Sequence, residues 1–224
     1  MKQFLSFLLL TITLTAGGQT KQNQNFSSFL PKGYVLFDTV YGDVNNDGVQ
    51  DCLLLIKGTD KSKVILDDYG KKADRNRRGL IVLLKQQGKY VATVTNYHCF
   101  SSENEDGGVY IPPDLSLEIK KGNLYVHYAH GRYGYWRYTF RFHQSDFELI
   151  GYDSADRSSF ASDYALFDET SINFITKKKL LKKVINVDKE GKEVYQETLQ
   201  DIKANKPIRL SAVKDFDELD VDNP

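Results

Sequence analysis

Two short runs, Cys52-Leu53-Leu54-Leu55-Ile56 and Leu80-Ile81-Val82-Leu83-Leu84, are apolar on consecutive residues. Runs of this kind suit strands that are covered on both faces. The segments around them alternate instead. Leu115, Leu117 and Ile119 are interleaved with Ser116 and Glu118, and Trp136, Tyr138, Phe140 and Phe142 with Arg137, Thr139, Arg141 and His143. A period of two is the mark of a strand with one buried face. Gly88, Gly122 and Gly191 each stand between two such segments, which predicts short hairpins and antiparallel pairing of neighbours. The pattern predicts strands at about 34–41, 51–57, 80–85, 90–97, 115–120, 124–130, 135–143, 146–152, 170–175, 180–187 and 193–199. The stretch Lys177–Val184 suits either strand or helix, and strand is preferred because Val184, Ile185 and Val187 lead into a hairpin turn. The expected fold is all-β and mostly antiparallel, a blade-like or sandwich assembly with a small C-terminal hairpin and helix appendage.

Composition agrees with this. The chain has 224 residues, of which 12% are aromatic, with 14 Tyr and 13 Phe against one Met and 5 Pro. Aromatic and β-branched side chains fit a pleated, half-buried surface. Thirty basic residues balance thirty acidic ones, so the electrostatic pull on which non-specific nucleic-acid binding depends is missing. No nucleic-acid partner is expected.

Lys2, the apolar stretch Phe4–Leu14 and the small residues Ala16-Gly17-Gly18 have the three parts of a secretory signal peptide. The apolar run is too short for a bilayer span, which takes roughly 20 residues, and no other stretch is long enough. Residues 1–18 are therefore expected to be removed, leaving a periplasmic or secreted chain without a membrane span. Residues 19–32 begin polar and amide-rich, and are expected to form a flexible leader. An all-β core domain would occupy 33–155. After about residue 153 Ser, Asp and Lys become common and apolar runs shorten, so 156–224 is expected to be a β-hairpin appendage ending in a short helix capped by Ser211. Gly58–Gly79 and Ser101–Pro113 are long charged connections, of the kind that often carry function.

The one strong chemical motif is Asp43-Val44-Asn45-Asn46-Asp47-Gly48-Val49-Gln50-Asp51. Oxygen-bearing side chains stand at positions 1, 3, 5 and 9, Gly at 6 and an apolar residue at 7, which is the layout of a calcium loop. Calcium takes six to eight hard oxygen ligands, and alternate side chains of a curled loop can converge on one ion. Asp43, Asn45, Asp47 and Asp51 would supply side-chain oxygens and Val49 its carbonyl. Position 12 is Leu54, inside an apolar strand, which excludes a helix–loop–helix EF-hand. The competing reading is a plain Asn-Asp-Gly turn between strands, since both residue types form turns without any metal.

The stretch Gly42–Asp51, followed by the strand Cys52–Ile56, resembles the calcium-binding element of FG-GAP and VCBS-type repeats, where such a loop joins two strands of a propeller blade. The resemblance covers about 16 residues. There is one copy only, without the Phe-Gly and Gly-Ala-Pro segment, which argues against a seven-bladed propeller. More loosely, the order of that loop, the strand Arg77–Leu84, a Lys-Gly-Asn-Leu hairpin and Phe147–Tyr152 is similar to uncharacterised secreted or periplasmic bacterial FG-GAP-like proteins. It implies a structural calcium ion and no known activity.

The segment Tyr125–Tyr138 is rich in Tyr, His and Arg. With a period of two, Trp136, Tyr138, Phe140 and Phe142 belong to the core, while Tyr135, Arg137 and Arg141, beside Tyr125 and His127, form a face that could bind a protein or glycan ligand. Ordinary cross-strand packing is the alternative. The expected function is that of an exported non-enzymatic binding protein with a structural calcium loop. A hydrolase acting on cell-wall or extracellular carbohydrate, with paired carboxylates from Glu103-Asn104-Glu105-Asp106, is the alternative. Cys52 and Cys99, the only cysteines, could pair in an oxidising compartment or stay as buried thiols.

Overall fold

A computed structural model describes residues 25–105, 112–158, 166–203 and 206–222. The expected signal peptide (1–18), the first part of the expected leader (19–24) and Asp106 lie outside these residues.

The described residues form thirteen strands and a few single 3-10 turns, with no α-helix among them. Strands β1 (Tyr34–Gly42), β2 (Asp51–Gly58), β5 (Arg78–Gln86) and β6 (Lys89–Phe100) make a four-stranded antiparallel sheet in the order β1-β2-β5-β6. Strands β7 (Asp114–Lys120), β8 (Asn123–Ala129), β9 (Gly134–His143), β10 (Asp146–Arg157), β11 (Phe167–Asn173), β12 (Lys178–Val187) and β13 (Glu193–Asp201) form a seven-stranded meander in which every neighbour in space is a neighbour in sequence. Two three-residue strands, β3 (Val64–Leu66) and β4 (Lys72–Asp74), pair with each other inside the long connection from β2 to β5. That connection was expected to be loop throughout; strands of three residues are too short to show a period.

The two large sheets enclose one core, so the fold is a sandwich. Leu53, Leu55, Leu80, Val82 and Leu84 come from the four-stranded sheet, and Leu124, Val126, Tyr138, Phe140, Phe147 and Leu149 from the meander. The other face of the four-stranded sheet carries Cys52, Leu54, Ile56, Ile81 and Leu83, covered by Phe26 with Phe29 and Leu30 alongside. This double cover is what the consecutive apolar residues of β2 and β5 require. Phe26 is only 4% exposed, and its ring centroid lies 5.7 Å from that of Tyr90. The part of the expected leader from residue 25 on is thus packed against the sheet.

The domain boundary expected at 155/156 falls within β10, and β11 to β13 extend the same sheet. The segment after β13 returns to the core with Leu210, Val213 and Phe216. Leu210–Ala212 is a single 3-10 turn whose N-cap residue, Arg209, makes no side-chain capping bond. Ser211, expected as a helix cap, instead donates its hydroxyl to Asp146 Oδ2 at 2.5 Å.

Cys52 and Cys99 are free and buried. Cys52 faces the Phe26 side of the sheet and Cys99 the main core. Register separates them further: Cys52 pairs with Leu83, which pairs with Ala92, whereas Phe100 pairs with Arg78 opposite Lys57. About four residues along the strands, on the order of 13 Å, exceeds the ~7 Å Cα separation a disulfide tolerates.

Candidate functional site

The loop between β1 and β2 is tied by its own carboxylates. Asp43 accepts the amide of Asp47 on Oδ1 at 3.1 Å and that of Gly48 on Oδ2 at 2.9 Å. Asn45 Oδ1 accepts the Asp47 amide at 3.1 Å, and its side-chain amide donates to Asp47 Oδ2 at 2.8 Å. Asp47 Oδ1 accepts the Val49 amide at 2.8 Å. Gly48 has φ +81°, in the left-handed region where a Cβ is strained, which explains why Gly stands at the sixth position.

Asp51 anchors the loop to the sandwich. It is fully buried, accepting the amide of Val44 on Oδ2 at 3.0 Å and that of Lys85, on β5, on Oδ1 at 2.9 Å. Burial pushes its pKa up; the two backbone bonds counter this, and the charges of Asp47 and Asp43 raise it further. Val44 points the other way, into the main core. On its outer side the loop leans on the β7–β8 turn, where a Cβ on Gly122 would stand 2.0 Å from Asn46 Nδ2.

Each carboxylate oxygen has two lone pairs, so one hydrogen bond apiece leaves acceptor capacity on Asp43, Asp47 and Asp51, and the set is all hard oxygen. Two carboxylates, Asp43 and Asp47, whose charges act on a third, buried one are an arrangement a divalent cation would relieve. The residues present fit calcium in donor chemistry, with Asn45 and the Val49 carbonyl as the neutral members. Among the described residues, no three His, Cys, Asp or Glu side chains stand gathered as a metal-holding group by themselves.

The second expected site lies on the outer face of the meander. His127 pairs with Arg137, and Arg137 with Asp153. The guanidinium of Arg137 lies 5.7 Å from the Tyr125 ring centroid and donates from Nη2 to Asp153 Oδ2 at 2.8 Å. Ser171 donates to the other Asp153 oxygen at 2.8 Å. The hydrogen bond to Asp153 raises the Arg137 pKa against the effect of burial. His127 lies 5.5 Å from the Tyr135 ring; burial and the neighbouring Arg137 hold its pKa down. Four of the five expected ligand-binding residues are thus brought together in two pairs. Arg141 is set apart, exposed, opposite Asn123 and Glu148.

A third cluster was not anticipated. Lys57 is buried at the end of β2, where its ammonium meets Asp74 Oδ2 at 2.8 Å and Glu103 Oε1. Arg78, buried beside it, donates from Nε to the Ser101 carbonyl at 2.8 Å, and both cations lie within 6 Å of the Phe37 ring centroid. A Lys closing a strand that is buried throughout needs a carboxylate partner; that signal was present in Asp51–Lys57, but the partners 17 and 46 residues away were not. Glu103 and Glu105, expected as possible paired acids, are each engaged by a cation, Glu105 by Arg75 Nη1 at 3.0 Å.

No family model matches the chain. No curated protein matches it. A solved structure described as that of a Xanthomonas type IV secretion system related protein is similar at 13% identity and a TM-score of 0.31, covering 70% of this chain and 57% of that one. No helix of the described residues is long and apolar enough to cross a membrane.

Proposed function

We propose that the chain is an exported, non-enzymatic binding protein whose loop Asp43–Asp51 holds a structural calcium ion and whose outer meander face meets a protein or glycan partner. The observation that carries the calcium reading is Asp51: a fully buried carboxylate, under the charges of Asp43 and Asp47, inside a loop already curled by its own side chains. Bound calcium would supply positive charge at that point. Asp43, Asn45, Asp47 and Asp51 hold the loop in shape, and Asp51 transmits its order to β5 through the Lys85 amide.

On the outer face, Tyr125, His127, Tyr135 and Arg137 present half-buried rings and a guanidinium, groups that supply large contact area with few rotatable bonds. Arg141 adds an exposed charge at one end. The salt bridge to Asp153 orients Arg137, and the Tyr125 ring braces it.

The test is thermal unfolding with calcium and with chelator. An ion that binds only the folded state stabilises it by about 2.7 kcal/mol at one hundred times its dissociation constant. Calcium should raise the melting temperature of the native chain, and Asp43→Ala or Asp47→Ala should abolish the rise. An unchanged melting temperature in chelator, with no calorimetric binding at millimolar calcium, would reduce the loop to a turn.

A further inference from the structure

On the inner side of the meander, at the open edge of the sandwich, lies a groove of about 570 Å³, within the range of small-molecule sites. Trp136 and Tyr138 of β9, Tyr152 of β10 and Phe216 of the C-terminal segment line it, with Glu105 and Asp217 beside them. The rings brace one another. Tyr138 and Tyr152 stand 5.2 Å apart at 51°, and Tyr138 and Phe216 5.0 Å apart at 58°. The Tyr138 hydroxyl is used in donating to the Phe216 carbonyl at 3.0 Å, so Tyr138 offers the groove its ring and not its hydroxyl proton.

Among the described residues that line this groove none is Lys or Arg, and two, Glu105 and Asp217, are acidic. The His130 ring also lines it, set edge-on to Trp136 with centroids 6.4 Å apart. Of its two carboxylates, Glu105 is met by Arg75 and Ser102. Asp217 forms no ion pair with a described Lys or Arg; Arg77, whose charge acts on it, is paired with Asp215 at 2.7 Å. Burial raises the Asp217 pKa and a bond from Ser101 lowers it, while Asp215 and Glu105 raise it and Arg77 lowers it. The faces of aromatic rings are themselves negative.

We propose that this groove is a binding site for a compact organic cation, an ammonium or guanidinium head carried on an apolar body, seated against Trp136 and Tyr152 with Asp217 as its counter-charge. Cations are attracted to ring faces, most strongly to Trp, and the attraction grows when water is excluded. Carboxylates at the rim of an apolar groove draw ligands of the opposite sign toward it. The shared chemistry admits a free quaternary amine or a Lys side chain of a peptide. The site is separate from the calcium loop and from the outer face, and stands whether or not those readings do.

Trp136 is the only tryptophan, so its fluorescence reports on the groove directly. The purified full chain is titrated with choline, with N-acetyl-lysine methylamide and with 3,3-dimethyl-1-butanol, the neutral isostere of choline, all at matched ionic strength. One or both cations should give a saturable change, and the isostere should not. Choline alone saturating points to a free amine; the lysine derivative alone points to a peptide. Asp217→Asn should weaken the cation about two- to fivefold while leaving calcium-dependent melting unchanged. If Asp217→Asn impairs folding, the comparison of choline with its isostere on the native chain decides by itself. Absence of saturation by either cation at ~100 mM, far weaker than any specific site, overturns the proposal. So does equal binding of the isostere, or saturation by cellobiose where both cations fail.

Discussion

Asp51 has one backbone amide on each carboxylate oxygen, and nothing but a carboxylate satisfies both at that depth. Asp51→Asn would turn an NH2 toward one of those amides, leaving two donors facing each other. The expected cost is about 1–3 kcal/mol, seen as a lower urea midpoint both in calcium and in chelator. A loss confined to calcium would mean that the residue acts through the ion alone. Gly122 is the other sensitive position beside the loop. It has φ +68° and no room for a Cβ under Asn46, so Gly122→Ala should lower the melting temperature and weaken any calcium response. The spacing of Asp43, Asn45, Asp47 and Asp51 was legible in the sequence because loop ligands follow one another in the chain. The state of Cys52 and Cys99 was not, because it depends on which face of the sheet each residue takes, and the register of β6 shifts twice against β5. Burial drives the Cys52 thiol up to about 12 and Cys99 upward as well. Both thiols should react in denatured, unreduced protein and resist labelling in the native state at neutral pH; a single label or none would contradict the free pair.

Among the elements, β2 ends on a charge that sets a pH window. Burial would lower the Lys57 pKa, but Asp74 and Glu103 outweigh it and the net shift is upward. Burial would likewise raise Asp74, and the bonds from Lys57 and Asn76 leave it lowered. The Asp74 contribution is therefore present above the ordinary carboxylate pKa and lost as pH falls through its depressed value. That of Lys57 is present below the ordinary lysine pKa and lost as pH rises through its raised one. Lys57→Met should flatten the alkaline limb of the melting profile. Because both partner carboxylates are about a third exposed, its cost should be about 2–3 kcal/mol, below the ~3–5 of a fully buried pair. An alkaline limb equally steep in the variant would remove Lys57 from the account. On β9 the two faces separate experimentally. Arg137→Ala breaks a half-exposed pair worth about 0.2–1 kcal/mol and should barely move the melting temperature. Trp136→Ala removes a ring stacked 5.2 Å from Tyr128 and should cost several times more. Equal losses would make the outer face mere packing. The alternation of β7 to β10 was plain in the sequence, since period two is a local property. Strands β3 and β4 left no such trace, because three residues cannot establish a period.

At the level of the whole molecule, the two sheets meet through a segment that the sequence placed in an appendage. Leu210, Val213 and Phe216 are spaced three apart among charged residues, with Ile208 and Ala212 between or beside them, and hold no run or period-two pattern long enough to mark a core strand. In the fold they fill the main core: Phe216 stacks 5.0 Å from Phe100 at 14°, its amide donates to the Cys99 carbonyl at 3.0 Å, and Asn96 donates to the carbonyls of Leu210 and Val213 at 2.8 and 2.7 Å. Packing between sheets is non-local, and no window of sequence displays it. Phe216→Ala should cost about 3–5 kcal/mol, measured by urea unfolding; a loss below 1 kcal/mol would show the segment to be dispensable cover.

Those contacts also order events in time. Each hairpin of the meander joins residues close in the chain, and such contacts form early, because little chain entropy is lost in closing a short loop. The bonds from Asn96 to Leu210 and Val213 span 114 and 117 residues and cannot form until all thirteen strands have left the ribosome. Until then the apolar inner faces of both sheets lack their plug. A nonsense mutation just before Leu210 would therefore yield an aggregation-prone sandwich with an open middle, although it spares every strand, and the nascent chain passes through the same vulnerable state each time it is made.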